Sequence, residues 1–221
     1  TLIVDCPQIT FTTASLPSGT AGTAYSQTVT SRSMTGPVST TGLVGQYLLA
    51  SDFTDRSNSL LNLSGTGASF ANGGLQLTNT ADYLTASTSA LNTDTHTISF
   101  YIKYTATADA AYRKIFGYMA GGSDRSPGIW RYPSSYQTHW SYDPGNSAVA
   151  ESYTPVINDW YQVTGVKNGG TFTIYYNGVQ AATGAVSNPK TAGSAPFEIG
   201  GATMGYGLGP AANAAFDGGG E

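Results

Sequence analysis

The 221-residue chain is poor in charge and almost free of cysteine. Asp, Glu, Lys and Arg together make up 10% of it, where an ordinary soluble domain carries about a quarter. Coiled coils and helical bundles draw on Glu, Lys, Leu and Arg at regular spacing, so that class is excluded. The nine Lys and Arg are scattered and the net charge is −4, which leaves no basic stripe for a phosphate backbone. Nucleic acid is therefore not an expected partner. Cys6 stands alone, which rules out a disulfide within the chain and a thiolate metal cluster; it reads as a small apolar residue near a strand end. No apolar run approaches the 18 or so residues of a membrane-spanning helix, and no membrane insertion is expected. General bases are scarce too, with two His and with Glu only at 151, 198 and 221.

What is abundant is Gly (28), Tyr (15) and the Thr/Ser background between them. Strand signals run through this material. In Thr97-Ile-Ser-Phe-Tyr-Ile-Lys-Tyr104, the apolar Ile98, Phe100 and Ile102 alternate with Ser99, Tyr101 and Lys103, the period of a half-buried strand. Trp160–Val166, Thr171–Tyr176 and Val179–Ala181 are separated by Asn168-Gly-Gly170 and Asn177-Gly178. Asn-Gly between β-branched and aromatic runs marks a tight hairpin, so these three segments predict an antiparallel meander. Phe172, Ile174 and Tyr176 should share one face, with Thr171, Thr173 and Tyr175 on the other. Further short strands are expected at Leu43–Leu49, Gly74–Thr78, Tyr83–Ala86, Lys114–Met119, Ile129–Tyr132, His139–Tyr142, Ala148–Tyr153 and Phe197–Gly200. No window carries a helical apolar stripe longer than two turns. The fold class is all-β, an antiparallel two-sheet sandwich or barrel.

The first forty or so residues differ from the rest. Pro7–Thr13 and Ala24–Thr30 read as strands around the turn-rich Leu16–Gly22, and 33–41 as a linker of Ser, Thr, Gly and Pro. The chain opens on Thr1-Leu-Ile-Val4 without a basic-then-apolar leader and closes on Asp217-Gly-Gly-Gly-Glu221. The expectation is an ordered piece of a larger exported protein, extracellular, on a cell surface or on a virion surface.

Two resemblances rest on particular stretches. Leu43-Val-Gly-Gln-Tyr-Leu-Leu49 with Asp52 and Asp55, Asp82-Tyr-Leu84, His96–Ile102, Asp159-Trp-Tyr-Gln-Val-Thr-Gly165 and Thr173-Ile-Tyr-Tyr-Asn-Gly-Val179 resemble the concanavalin A-like, laminin-G-type jelly rolls. The Trp-Tyr-x-Val strand leading to a Tyr-x-Asn-Gly-Val hairpin is the most specific part. The resemblance implies an antiparallel jelly-roll sandwich over 42–221, with Trp160 in its core. It also implies a last strand after Phe216-Asp-Gly218, a strand the chain ends before. Residues 1–32 resemble the opening of an immunoglobulin-like repeat of bacterial surface proteins, carried by Cys6-Pro7, Ile9-Thr10 and Leu16-Pro-Ser-Gly-Thr-Ala-Gly22.

The jelly-roll resemblance also implies a structural Ca²⁺ between the first loop and the end of the roll, with Asp52, Asp55 and Asp217 as its ligands. The alternative is that these are turn carboxylates bonding their own backbone. The same resemblance raises glycoside hydrolysis, but the Glu-x-Asp-x-x-Glu pattern is missing and no close Glu pair exists for a retaining mechanism. A non-enzyme is expected. Aromatic residues crowd between Tyr112 and Tyr153, with polar groups among them. Trp130, Tyr132, Tyr136 and Trp140, helped by Arg131, His139 and Asp143, are the candidate ligand-binding residues, since sugar C–H faces stack on aromatic rings; for Trp130 and Trp140 the alternative is a place in the core or at an inter-chain contact. The reading is an adhesion module for glycans or surface polymers. The rival is a structural subunit of a virion or surface assembly, whose partners are neighbouring copies of the chain.

Overall fold

The computed structural model describes residues 9–11, 31–33, 42–49, 51–57, 59–71, 74–77, 79–87, 93–105, 107–118, 127–142, 148–151, 153–186, 197–201 and 214–216. Among them every element is a strand. β1 (Ile9–Phe11) pairs with β2 (Ser31–Ser33) in a ladder of its own, so pairing reaches into the start of the expected linker. The strand expected at 24–30 lies outside the described residues.

The remaining strands are β3 (Ser64–Thr66), β4 (Ala68–Ala71), β5 (Gly74–Leu77), β6 (Tyr83–Ala86), β7 (Thr95–Tyr104), β8 (Arg113–Tyr118) and β9 (Gly128–Arg131). They continue with β10 (Thr138–Ser141), β11 (Ala148–Ala150), β12 (Trp160–Asn168), β13 (Thr171–Tyr176), β14 (Val179–Ala185), β15 (Phe197–Gly200) and β16 (Ala214–Phe216). They form two seven-stranded antiparallel sheets, in the orders β14-β13-β12-β7-β16-β5-β4 and β11-β10-β9-β8-β15-β6-β3. The first is called the β12 sheet below, the second the β10 sheet. Only Gly67 separates β3 from β4, so one continuous stretch crosses from one sheet to the other there. This is a jelly-roll sandwich. The place between β5 and β7 is taken by β16, upstream of the position the family resemblance gives its last strand.

The meander forms as the turn chemistry predicts. Asn177 (φ 48°) and Gly178 (φ 78°) both adopt the left-handed backbone that a two-residue hairpin of this type requires. The Asn177 side chain accepts from the Gln162 N–H at 2.9 Å, tying the turn to β12. Phe172, Ile174 and Tyr176 are buried and Thr171, Thr173 and Tyr175 face outward, as alternation requires. Residues 43–49 do not form the expected strand. They run beside 55 through an isolated bridge, Tyr47 to Asp55, and end at Leu49 in a left-handed conformation (φ 55°) that a strand cannot continue. Four strands carry no clear pattern in the sequence and were not expected: β2, β3, β4 and β16, each three or four residues long.

The core lies between the sheets. Trp140 of β10 packs on Phe172 of β13 (ring centroids 5.0 Å apart) and on Phe100 of β7 (6.2 Å). Gly165 of β12 makes room for this contact. A Cβ there would stand 2.5 Å from Phe172 Cζ and 2.5 Å from Trp140 Cζ3, closer than carbon atoms approach. Gly165→Ala is therefore expected to destabilise the fold by about 1–3 kcal/mol, the usual cost of overpacking rings that have nowhere to go. Urea denaturation would show this as a lowered midpoint at constant m; an unchanged midpoint would mean that the rings have slack.

Candidate functional site

Most of the aromatic cluster picked from the sequence lies inside the protein. Trp140 has no exposure at all, and its indole N–H donates to Thr138 Oγ1 at 3.0 Å. Its register partner in β9 is Ile129, which places Trp140 on the inner face of the β10 sheet. Trp130, one residue on from Ile129, points to the opposite face and is likewise buried, at 5% exposure. Neither ring can stack on a sugar in this fold, which corrects the expectation for both. The reason is that strands β9, β10 and β15 are buried on both faces, so alternation in β9 and β10 sends neither tryptophan to solvent.

Arg131 is also a correction. Its guanidinium is wholly buried, and its two terminal nitrogens donate to the Asp109 carboxylate and the carbonyls of Ala111, Tyr132 and Ser135, while Nε finds no partner among the described residues. It latches the loop before β8 to the loop after β9, and burial puts it out of a ligand's reach. Asp109 is held below the usual carboxylate range chiefly by its hydrogen bond from Arg113, with Arg131 beside it. Tyr136 is half-buried; its ring packs on Tyr104 (4.8 Å) and its hydroxyl accepts from the Ala108 N–H at 3.1 Å. His139 is buried under Tyr132, the two rings stacked at 5.1 Å and 18°. Tyr112, 43% exposed, leans on Tyr132 at 5.2 Å. Of the predicted ligand-binding residues that are described, only Tyr132 and Tyr136 keep partial access to solvent. Asp143 lies outside the described residues.

The calcium expectation meets the same test at Asp55. Its Oδ1 accepts from the N–H groups of Gln46 (2.9 Å) and Ser57 (2.8 Å), and its Oδ2 from Ser57 Oγ (2.8 Å) and the Leu61 N–H (2.9 Å). Four donors occupy the lone pairs that a cation would need, and Ca²⁺ wants six to eight oxygens. Burial opposes ionisation of Asp55, but the backbone donors outweigh it and hold the carboxyl below its ordinary value. Asp52 accepts from the Thr54 N–H and pairs with Arg56 at 2.6 Å. Both residues act as loop carboxylates and do not fit a calcium cage; Asp217 lies outside the described residues.

Two glutamates are held apart. Glu151, 2% exposed, is inside the sandwich, where Thr138 Oγ1 (2.8 Å) and the Tyr176 hydroxyl (2.7 Å) donate to it. Burial pushes its pKa up. Glu198 of β15 is on the outer face of the β10 sheet, 2.9 Å from Lys114 Nζ, with both side chains buried. His96 is inside as well. It bonds the Thr93 carbonyl and the Tyr142 hydroxyl, and burial lowers its pKa to about 4.

The open surface is on the other sheet. Along β12 the pattern alternates half-buried and buried, so Tyr161, Val163, Gly165 and Lys167 point inward while Trp160, Gln162, Thr164 and Val166 point out. Register aligns Trp160 with Lys103, Gln162 with Tyr101, and Thr164 with Ser99 on β7 and with Tyr175 on β13. The result is a half-exposed face on which rings alternate with hydroxyls and an amide. Ser99 Oγ and Thr164 Oγ1 are 2.8 Å apart, and Gln162 Nε2 reaches Ser99 Oγ at 3.4 Å. Lys103 Nζ lies 4.8 Å from the Trp160 ring centroid. Trp160, placed in the core by the family resemblance, is thus on the outside. Counting by twos from the apolar Val163 would have shown it, because Trp160 has the opposite parity.

A family model described as the concanavalin A-like lectin/glucanases superfamily matches residues 78–218. The chain belongs to this superfamily. No curated protein matches it in sequence. Among solved structures, the binding domain of Paraclostridial Mosquitocidal Protein 1 is 17% identical, with a TM-score of 0.61 over 80% of this chain and 48% of that one. The binding domain of Botulinum Neurotoxin DC in complex with SialylT is 16% identical, with a TM-score of 0.56 over 71% and 42% of the two chains. A Trypanosoma rangeli sialidase in complex with the inhibitor DANA is 13% identical, with a TM-score of 0.56 over 79% and 29%. This concanavalin A-like domain therefore spans less than half of each of these chains, and at such identities the likeness is one of fold.

Proposed function

We propose that the chain is a non-catalytic saccharide-binding module of an exported protein, and that it binds through the outer face of the β12 sheet. The observation that carries this reading is Trp160, half-exposed on an open sheet beside Tyr101, Tyr175 and Gln162. A half-buried ring next to hydroxyls and a carboxamide offers a saccharide both of its needs, apolar surface for its C–H face and hydrogen-bond partners for its hydroxyls. The lectin-like fold and its toxin-domain and sialidase neighbours support the same class of ligand. Absence of catalysis is supported by Glu151 and Glu198, one inside the sandwich and one on the outer face of the β10 sheet, which cannot bracket a glycosidic bond. A shallow face of this kind binds weakly, on the order of millimolar to micromolar, and gains avidity from repeated copies.

Trp160→Ala is expected to weaken binding to a responsive oligosaccharide about tenfold or more, read by calorimetry, with circular dichroism unchanged. Tyr112→Ala serves as the contrast, because it alters the other solvent-facing aromatic group and should leave affinity intact. Loss at Tyr112 with none at Trp160 would move the contact to the Tyr112–Tyr132 pair and remove this reading of the β12 sheet.

A further inference from the structure

We infer that the saccharide taken by this face is an acidic one, its carboxylate paired with the Lys103 ammonium; the inference rests on the β12 sheet being the contact surface. Among the described residues Lys103 has no carboxylate within ion-pair distance, and its ammonium instead lies over the Trp160 ring. Among the described side chains, the outward positions of β7, β12 and β13 are otherwise Thr, Ser, Tyr, Gln, Val, Asn and Trp, so these three strands offer the cation no counter-charge. Asp159 immediately precedes Trp160 but makes no ion pair with Lys103. In a chain of net charge −4, a lysine that is the one charged group among the described outward residues of β7, β12 and β13 is a local exception.

The geometry relates the charge to the plate. Lys103 and Trp160 form one register row, and Tyr101 and Gln162 form the next outward row. Two residues along a strand amount to roughly 7 Å, a gap that a ring-borne carboxylate and the flexible Lys103 side chain close between them. A ring lying over Tyr101 and Gln162 would set its carboxylate at Lys103, while its C–H face meets the edge of Trp160. Lysine presents a point charge with rotatable donors, so it selects for negative charge without demanding a fixed bidentate geometry. A half-exposed pair of this kind is screened by salt, and the preference should fade as ionic strength rises.

The test uses the intact chain and a panel of sialylated and uronate-terminated oligosaccharides, each offered as the free acid and as its methyl ester, with affinities from calorimetry at low and high salt. The expected result is that an acid binds about tenfold tighter than its ester at low salt, and that high salt or Lys103→Met narrows the gap towards one. Acid and ester binding alike, with Trp160→Ala still weakening both, would overturn the acidic ligand and leave the face standing. A Lys103→Met protein that keeps the preference would overturn the role of Lys103. Failure of Trp160→Ala to weaken either form, or no binding anywhere on the panel, would overturn the face itself, and this inference with it.

Discussion

Lys114→Met is expected to cost the domain about 3–5 kcal/mol, a large share of the stability of any single domain. Lys114 Nζ and Glu198 Oε2 are 2.9 Å apart across β8 and β15, with side-chain exposures of 1% and 4%. Removing the cation leaves a carboxylate out of water with no compensating charge. Burial already lowers the Lys114 pKa, and Glu198 works against that shift by favouring the charged ammonium. The pair therefore holds its charges only because both are present. The double variant Lys114→Met, Glu198→Leu removes both charges together and should recover most of the loss, since buried pairs exchanged for apolar groups of similar size are often neutral. Urea denaturation of the three proteins decides the matter. A single variant within about 1 kcal/mol of the parent would mean that water reaches the pair.

Trp140→Ala is the second large effect, again about 3–5 kcal/mol, through lost contact and a cavity between Phe172 and Phe100. The indole also donates to Thr138 Oγ1, which in turn donates to the buried Glu151. Trp140→Phe keeps most of the volume and removes the donor, so it should cost less than the alanine variant. Fluorescence adds an independent check, because the three tryptophans differ in exposure. Iodide should quench Trp160 and leave Trp130 and Trp140 shielded. A Trp160→Phe protein should thus lose nearly all of the quenchable signal, and strong quenching that persists would place another tryptophan at the surface.

The strand framework was legible because its signals are local. Thr171–Tyr176, Tyr83–Ala86 and Phe197–Gly200 have the bounds expected from alternation and turn residues, and Asn177-Gly178 turns as its residue types demand. The strands β3, β4 and β16 were missed because three or four residues, mostly Ala, Ser, Gly and Thr with one Phe in β4 and one in β16, carry almost no pattern. They are strands only because neighbours offer them hydrogen bonds. The segment 43–49 shows the reverse, an apolar stretch whose backbone bonds to a loop carboxylate at Asp55 in place of a full ladder.

The site was less legible than the fold. Tyr132 and His139, both candidate ligand-binding residues in the sequence, stack on each other in the structure. Their exposure was not readable, because a strand's sequence does not say whether its second face is covered. At β9 and β10 both faces are buried, which turns Trp130, Arg131 and His139 into interior residues. In the β12 sheet one face is open, which puts Trp160 outside.

By itself, the sequence determined the all-β class, the meander, the scarcity of charge and the alternation that assigns each strand residue to one of two faces. All of these follow from bonding and sterics between neighbours along the chain. Only the tertiary structure decided which of those faces meets water, which carboxylates their own loops consume, and that Lys103 lies over Trp160. Each of those depends on segments far apart in sequence packing together, and solvent exposure is a property of that packing alone.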